Sequence, residues 1–529
     1  MANQDTLDPV AHGTGMPQIA PLPVGGEQFQ NLPDRLRAAA TECAHKPALI
    51  DGEETLSCAD ICNLMDRTAT YLRDKGLQPG DRVASLAGNS ADHVVLYLGV
   101  LAAGACMVPL PVTAHPTALA EMIRNCSPKF LFADDANLDI AEKLGAPQTL
   151  RLASVRPKAQ QLPPIEPLGT APTELFDINY SSGTTGTPKG IQHDCRFRDR
   201  QMTRMQKMGF GSGAVSVVST PLYSNTTLAG LLPVLAYGGT VILMRKFSEQ
   251  TFLELAERHR VSHILLVPVQ YQRLLADPEF DCFDLSAFQV KLSTSAPLPE
   301  PLVRDLLKRW PGRLINLYGM TEGGLATILD CGAHPGKLHT VGKASEGTDL
   351  RIIGEDGREI TDGRVGEIVG RSNTIMTGYR DAPEKTREAL WQSPDGGYFM
   401  RTGDLGRLDD DGFLVLLDRR KDMIISGGFN IYAADLEQVL LTHPDVAEAA
   451  VIAIPSARWG ETPLGLVVLK KGATVSTDAL LAHANAQLGK TQRLSAIEAR
   501  DQLPRNAIGK ILKRELREAY QNAARAAGS

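Results

Sequence analysis

Apolar and polar residues follow two alternating patterns along most of this chain. Apolar positions recur every three to four residues in 60–73, 116–125, 249–258 and 300–310, which predicts amphipathic helices. Short apolar runs at 241–244 and 263–267 are typical of buried strands. This alternation of helix and strand signals predicts the α/β fold class.

The pattern changes twice towards the C-terminus. Short β segments and turns dominate 350–417, and after Arg419 the signals restart with a helix at 434–441, strands at 449–453 and 466–469, and helices at 477–488 and 510–525. We therefore predict a large N-terminal domain of α/β sheets with a short β-rich subdomain, plus a small α+β C-terminal domain. The predicted bounds are 1–27 for a disordered tail, 28–420 for the N-terminal domain and 421–529 for the C-terminal domain.

A nearly uncharged stretch at 93–112 has the length of a membrane span, but Gly and Pro residues interrupt it. It divides at Gly104 into a predicted buried helix at 94–103 and a core strand at 105–110, so we expect no membrane span. Residues 1–27 contain no Lys or Arg, which argues against a signal or transit peptide.

Length, charge and cysteine content limit the kinds of protein that this chain can be. A length of 529 residues predicts two or more domains, and the net charge of −6 gives no electrostatic case for a nucleic-acid partner. The eight cysteines are scattered without a C-x-x-C pair, which favours reduced thiols in a cytoplasmic protein over a zinc site or disulfides.

The most informative segment is the Ser/Thr/Gly loop that begins at Ser181. Glycines, hydroxyl side chains and a lysine suit a cradle for a polyphosphate, and the members we assign to it are Ser181, Ser182, Gly183, Thr184, Thr185, Gly186, Thr187 and Lys189. A predicted strand at 175–180 precedes the loop and a predicted helix at 192–207 follows it. The P-loop of nucleotide hydrolases does not fit, because Pro188 and Gly190 stand at two of its required positions. A flexible linker would need neither the Pro-Lys-Gly ending nor the strand.

Five further motifs follow in the chain. They are Leu-Tyr-Gly-Met-Thr-Glu at 317–322, Tyr-Phe-Met-Arg-Thr-Gly-Asp at 398–404, Asp-Arg-Arg-Lys-Asp at 418–422, Gly-Gly-Phe-Asn-Ile at 427–431 and Pro-Arg-Asn-Ala-Ile-Gly-Lys-Ile at 504–511. In this order and spacing, over about 31–518, the chain resembles the adenylate-forming superfamily of acyl-CoA synthetases, amino-acid adenylation domains and firefly-type luciferases.

The resemblance implies that ATP and Mg²⁺ activate a small-molecule carboxylic acid as an acyl-adenylate, which a thiol, that of coenzyme A, then attacks. It implies that Lys510 catalyses adenylation, that Glu322 holds the metal, and that Thr321 donates to the α-phosphate. The nucleotide site would also contain Ser295, Ala296, Pro297, Asn316, Tyr318, Gly319, Asp404 and Arg419, with Tyr318 beside adenine and the Asp-Arg pair at the ribose. One departure is Ile508, where the family usually has Thr.

The resemblance also implies that the small domain is a mobile lid that rotates about Lys421 between adenylating and thioester-forming orientations. Gly427 and Gly428 would then line the pantetheine channel. Taken alone, the two glycines fit a plain turn and Lys510 fits an exposed lysine of a basic helix.

Family resemblance assigns an acyl pocket to Tyr223, Ser224, Asn225, Val269, Thr294 and Met320. No Asp lies in 223–228 to pair with a substrate ammonium, which favours a neutral tail, fatty or aromatic. Ser224 stands where many relatives carry a His or an aromatic residue, and Ser295 where they often carry a smaller one.

The acid–CoA ligase branch is our first expectation, and a free-standing ligase that loads an acyl-carrier protein is the alternative. We expect no fused carrier domain, since only nineteen residues follow Lys510. A non-catalytic relative would be expected to lack Lys510 or Glu322, and both are present. The oligomeric state stays open, with a homodimer as one possibility.

Overall fold

A computed structural model describes residues 28–181, 188–419, 422–426, 429–456, 458–489, 492–506 and 509–527. The predicted tail at 1–27, residues 182–187 of the predicted phosphate loop (181–189) and the predicted hinge Lys421 lie outside these ranges.

The described strands are β1 Pro47–Asp51, β2 Glu54–Ser57, β3 Arg82–Leu86, β4 Cys106–Pro109, β5 Phe130–Ala133, β6 Thr149–Arg151, β7 Leu175–Ser181, β8 Lys189–Asp194, β9 Val215–Val218, β10 Thr240–Leu243, β11 His263–Leu266, β12 Val290–Ser293, β13 Arg313–Gly319, β14 Ala326–Asp330, β15 Lys343–Ala344, β16 Thr348–Ile353, β17 Gly366–Ser372, β18 Gly378–Tyr379, β19 Leu390–Gln392, β20 Tyr398–Leu408, β21 Leu414–Arg419, β22 Ile424–Ser426, β23 Phe429–Ile431, β24 Val446–Ser456, β25 Gly460–Leu469 and β26 Ala496–Ala499. The described α-helices are α1 Leu32–Glu42, α2 Cys58–Asp74, α3 Ala91–Ala102, α4 Pro116–Cys126, α5 Leu138–Ala141, α6 Val155–Ala159, α7 Cys195–Lys207, α8 Asn225–Ala236, α9 Glu249–Arg258, α10 Pro268–Ala276, α11 Glu300–Arg309, α12 Pro383–Glu388, α13 Ala433–Leu441, α14 Thr477–Gln487 and α15 Lys513–Ala527.

The larger of two α/β sheets has the strand order β15-β14-β13-β12-β11-β9-β10-β1-β2. Its strands β13, β12, β11, β9, β10 and β1 run parallel to one another. Their carboxyl ends therefore meet at one edge of the sheet, which is where ligands bind in α/β proteins.

The second sheet has the order β18-β8-β7-β4-β3-β5-β6. Its helix α3 is apolar on nearly all sides and buried, and together with α2 and α8 it contributes to the largest hydrophobic cluster, which includes residues of both sheets. The helix and strand predicted for 94–103 and 105–110 correspond to α3 and β4. In the described part of the chain, no helix combines the length and apolar character needed to cross a membrane.

The prediction of a helix at 192–207 is wrong in its first turn. Residues Lys189–Asp194 instead form β8, which pairs antiparallel with β7, so the phosphate loop joins two strands. Helix α7 begins at Cys195, because the Asp194 carboxylate accepts a hydrogen bond from the Phe197 amide at 2.7 Å and caps it. The start of α7 thus lies a full strand away from the loop.

Two smaller sheets complete the fold. One has the order β16-β17-β20-β19 with β21 on β20, and the other has the order β23-β22-β25-β24 with β26 on β25. Helices α13 and α14 pack on the last sheet, and both hydrophobic clusters of this region draw their members from residues after 423. The chain therefore has the α/β architecture that the sequence predicts, with a small α+β unit at its C-terminal end.

Candidate active site

The carboxyl ends of four parallel strands bring the predicted nucleotide and acyl segments to one edge. Ser293 at the end of β12 pairs with Asn316 in β13, so the segments 294–297 and 318–320 continue from neighbouring strands. The 223–227 and 269 segments follow β9 and β11 in the same sheet. Asn316 is buried, and Thr294, Ala296, Met320 and Val269 are partly exposed along this edge.

Glu322 and Lys189 meet at Tyr379. The Tyr379 hydroxyl donates to Glu322 Oε1 at 2.8 Å, and Lys189 Nζ lies 5.0 Å from the centre of the same ring. Burial and the neighbouring Glu322 carboxylate raise the pKa of Tyr379, so the phenol stays a hydrogen-bond donor. The second Glu322 oxygen has no hydrogen-bond partner among the described residues, which fits a carboxylate that contributes one ligand to a phosphate-bound Mg²⁺.

The turn that carries Glu322 is held tightly by the segment 374–376. The Glu322 carbonyl accepts from the Met376 amide at 2.8 Å, and the Gly324 amide donates to the Thr374 carbonyl at 2.7 Å. Gly323 has a φ of +72°, and a β-carbon there would overlap the Thr374 carbonyl and lie 2.8 Å from Phe197 Cε2. Only glycine fits this position, because both the backbone conformation and the space exclude a side chain.

The predicted ribose pair is present and is joined by a tyrosine. The Tyr318 hydroxyl donates to Asp404 Oδ2 at 2.7 Å, and Arg419 Nε lies 3.4 Å from Asp404 Oδ1. Asp404 is only 8% exposed, so the pair is not an ordinary surface ion pair. Burial and the Asp404 charge raise the pKa of Tyr318 well above its usual value, which keeps this hydroxyl a donor.

Ser295 has a left-handed backbone, with φ at +74°. A non-glycine residue in this region stores about 1–2 kcal/mol of strain. The Ser295 hydroxyl lies 2.8 Å from the Thr226 hydroxyl, a contact that ties the nucleotide segment to the start of α8. The structure thus explains why a small residue suits this position.

At the presumed acyl pocket, Ser224 and Asn225 belong to the start of α8. Ser224 is buried and its hydroxyl accepts from the Thr226 amide at 3.3 Å, so it caps the helix. Asn225 Oδ1 accepts from Arg198 Nη1 at 2.6 Å. The Tyr223 hydroxyl lies 3.4 Å from the Thr113 hydroxyl, and burial raises the Tyr223 pKa.

The turn that leads to Lys510 touches the same edge. The Gly509 amide donates to the Asn506 carbonyl at 2.9 Å, and the Lys510 amide donates to Asn506 Oδ1 at 2.9 Å. Gly509 has a φ of +76°, and a β-carbon there would lie 2.5 Å from Val269 Cγ1. The Lys510 turn is therefore in van der Waals contact with the segment assigned to the acyl pocket.

Several predicted site residues lie outside the part of the chain that the structure describes. Ser181 is the last residue of β7, but Ser182, Gly183, Thr184, Thr185, Gly186 and Thr187 lie outside the described residues, as do Gly427, Gly428 and the predicted hinge Lys421. Pro297 and Gly319 are exposed at the same edge.

The sequence interpretation missed a buried charged cluster beneath the site, formed by Asp177, His193 and Arg198. Asp177 Oδ1 lies 2.7 Å from His193 Nδ1, and Asp177 Oδ2 accepts from Arg198 Nε at 2.9 Å. Burial alone would raise the Asp177 pKa, but the charges of Arg198 and His193 bring it below its usual value. One sign of it in the sequence is Asp177 itself, a carboxylate within a predicted strand, which would need a partner if buried but does not identify that partner.

Comparison with known proteins agrees with the geometry. The family model described as "AMP-binding enzyme" matches residues 36–380, and that of its C-terminal domain matches 435–510. A feruloyl-CoA synthase of Amycolatopsis is 34% identical over 90% of this chain and 96% of its own length.

Two further relatives match over nearly the whole chain. The fatty acid–[acyl-carrier-protein] ligase ScoC of Streptomyces coeruleorubidus is 30% identical over 93% of this chain and 97% of its own. The ATP-bound crystal structure of MatB from Rhodopseudomonas palustris superposes with a TM-score of 0.85 at 31% identity, over 94% of this chain and 100% of that one. The chain therefore belongs to the AMP-binding enzyme family, and within it to the adenylate-forming, AMP-forming acyl-CoA synthetases.

Proposed function

We propose that this enzyme couples a neutral-tailed carboxylic acid, fatty or aromatic, to coenzyme A. ATP and the acid would give an acyl-adenylate and pyrophosphate, and the CoA thiol would then displace AMP to give the thioester. The observation that carries the proposal is the contact of the Gly509–Lys510 turn with Val269, because it brings a lysine to the edge where Glu322 and Lys189 also lie.

The first half-reaction joins two anions, so the site must offset their repulsion. Lys510 and Lys189 would supply positive charge to the carboxylate and the phosphates. Glu322 would hold Mg²⁺, which when bound neutralises phosphate charge. The Thr321 hydroxyl would donate to the α-phosphate, and Asp404 would accept from the ribose hydroxyls.

The second half-reaction needs room for a thiol where Lys510 stands. A rotation about Lys421 would withdraw the Lys510 turn from Val269 and present Gly427 and Gly428 to the pantetheine arm. Among the described residues, this turn meets the presumed pocket where Gly509 packs on Val269, a contact that such a rotation would open.

The argument for a neutral tail rests on the side chains of the presumed pocket. Residues 223–227, 269–271, 293–297 and 318–320 include no carboxylate, and the hydroxyls of Ser224, Thr226 and Ser295 bond to one another or to the backbone. A substrate ammonium would therefore lose its hydration without gaining a partner.

Asn225 favours neutral acids that carry a polar group in the tail. Arg198 can only donate, so the amide atom that faces it is Oδ1 and Nδ2 points away. Nδ2 has no partner among the described residues, which favours an acid that carries an oxygen acceptor, such as an ether or carbonyl, in its tail.

A carrier-protein acceptor is the second candidate, favoured by the similarity to ScoC. Purified enzyme with ATP, Mg²⁺ and CoA or a carrier protein separates the two acceptors by the mass of the thioester. Pyrophosphate release without acyl-CoA, but with acylated carrier, would replace the CoA proposal.

The main test is a panel of paired acids, in which one member has an ether oxygen where the other has a methylene. Amino acids are included in the panel. We expect turnover of neutral acids, with preference for the oxygen-bearing member of each pair. Turnover of amino acids instead would contradict the pocket argument.

Lys510→Ala should slow adenylation by about 10²–10³ or more, as expected for loss of a transition-state contact. Attack of CoA on supplied acyl-adenylate should persist. The exposed Lys471→Ala serves as the matched control and should leave both half-reactions unchanged. Equal loss of both half-reactions in Lys510→Ala would contradict its assigned role.

A further inference from the structure

The buried cluster of Asp177, His193 and Arg198 lies directly behind the Thr321–Glu322 turn. All three side chains have no exposed surface. Charged groups are expensive to bury, so a cluster of three is expected only where they hold one another in a defined geometry.

His193 reaches from this cluster to the turn. Its Nε2 atom lies 2.8 Å from the Thr321 carbonyl oxygen. A carbonyl only accepts, so Nε2 carries the proton and donates. The other ring nitrogen faces Asp177, so the carboxylate fixes the ring that makes this contact.

Packing adds a second restraint on the same turn. The His193 ring stacks on Phe197 with a centroid distance of 3.9 Å, and Phe197 in turn closes the space beside Gly323. The segment 374–376 holds the turn from one direction through two backbone hydrogen bonds, and His193 holds it from another.

Arg198 extends the cluster to the acyl side. It donates to Gln201 Oε1 at 2.7 Å and to Asn225 Oδ1 at 2.6 Å, besides its bonds to Asp177. One buried carboxylate thus anchors contacts to both the phosphate turn and the start of α8.

We propose that His193 is a positioning residue for adenylation, which orients the Thr321–Glu322 turn towards the phosphates through the Thr321 carbonyl. The inference rests on the proposed function, because it takes this turn to be the phosphate- and metal-binding turn. His193 does not touch substrate, so its effect should appear in the use of MgATP and not in the binding of the acid.

Two substitutions separate the contacts of His193. His193→Asn keeps a donor near the Nδ1 position for Asp177 but cannot reach Thr321, whereas His193→Gln keeps a donor near Nε2 for Thr321. Gln201→Leu is the control, since it removes a partner of Arg198 and leaves His193 intact.

The readout is ATP–pyrophosphate exchange at saturating acid, with KM values for MgATP and for the acid and with Tm for each variant. Loss of one hydrogen bond is worth about 3- to 10-fold. We expect His193→Asn to lower kcat/KM for MgATP by that factor, His193→Gln to stay within about twofold, and the KM for the acid to stay unchanged in both.

Equal losses in His193→Asn and His193→Gln, or no loss in His193→Asn, would overturn the inference, and so would a matching loss in Gln201→Leu. If His193→Asn does not fold, His193→Met, which lacks both donors, replaces it in the comparison. Absence of exchange in the wild-type enzyme would instead contradict the proposed function.

Discussion

At the scale of single residues, burial decides the chemical state of several side chains, and His93 in α3 is the clearest case. His93 Nδ1 lies 3.0 Å from the Gly88 carbonyl and Nε2 lies 2.8 Å from the Ser85 hydroxyl. A carbonyl only accepts, so Nδ1 carries the proton and Nε2 accepts from Ser85. The neutral ring is therefore fully satisfied, and burial lowers the pKa of His93 to about 4.

The low pKa of His93 predicts that the folded state loses stability in acid. Between pH 6.5, the ordinary value, and pH 4 the unfolded chain binds a proton that the folded chain does not. The folded state should lose about 3 kcal/mol as the pH falls through this window. We expect the Tm difference between wild type and the non-titrating His93→Gln to shrink from pH 7 to pH 4. A difference independent of pH would contradict this.

Contacts between individual side chains are also the features that the sequence predicts least well. The motifs predict site residues such as Glu322, Asp404 and Arg419. In the structure Glu322 accepts a hydrogen bond from a tyrosine, and Arg419 lies beside Asp404. The partnership of Asp177 with His193 and Arg198 could not be predicted, because it depends on strand register and on the packing of α7 against β7. Neither is encoded in local spacing.

At the scale of elements, periodicity predicted most helices and strands to within a few residues. The helix 249–258 has the predicted bounds, and 300–310 differs by one residue. The prediction for the segment after this loop is wrong because β8 shows no alternation of apolar and polar residues: it is polar after Ile191, yet His193 and Asp194 are buried. Pairing with β7 outweighs local helix propensity there.

The strand–loop–strand connection changes what is expected of the proposed phosphate loop. Because the described chain after the loop is β8 and not a helix, the dipole of a following helix would not add to the anion affinity proposed for the loop. The proposed roles of the Glu322 turn and Lys189 become correspondingly more important, and Gly323 lets this turn pack against Thr374.

Gly323→Ala tests the turn against a matched control. Gly357 has a similar φ of +75°, and a β-carbon added there would meet nothing within 4 Å, so Gly357→Ala carries the same backbone strain without the overlap. Both should lower stability by about 1–2 kcal/mol from strain. Only Gly323→Ala should also lower kcat/KM for MgATP in pyrophosphate exchange, by about tenfold or more, because the overlap displaces Glu322. Equal activity in the two variants would contradict the assigned role of the turn.

At the scale of the whole molecule, α10 makes two of the contacts between the C-terminal unit and the larger domain. The Gln272 side chain donates to the Ala447 carbonyl at 3.2 Å, and Gly509 packs on Val269. We infer that this is the adenylating arrangement, since the Lys510 turn stands at the pocket.

Gly509→Ala should destabilise this arrangement selectively. An added methyl group would lie 2.5 Å from Val269 Cγ1, whereas at Gly472, with φ +85°, it would meet nothing within 4 Å. We expect Gly509→Ala to slow pyrophosphate exchange by about tenfold or more, as a misplaced catalytic group does. Thioester formation from supplied acyl-adenylate should persist. Gly472→Ala should retain both activities, and a Gly509→Ala variant with normal exchange would contradict the arrangement.

The close packing of Gly509 on Val269 has a consequence for selectivity between acids of different chain length. An acid long enough to press on Val269 would push the Lys510 turn outward while still filling the pocket. Such an acid would bind yet react slowly, so the limit on chain length would fall on kcat and leave KM almost unchanged. Overlong acids would then act as competitive inhibitors of shorter ones. Chain-length selectivity would depend on whether the C-terminal domain that carries Lys510 can close over the bound acid.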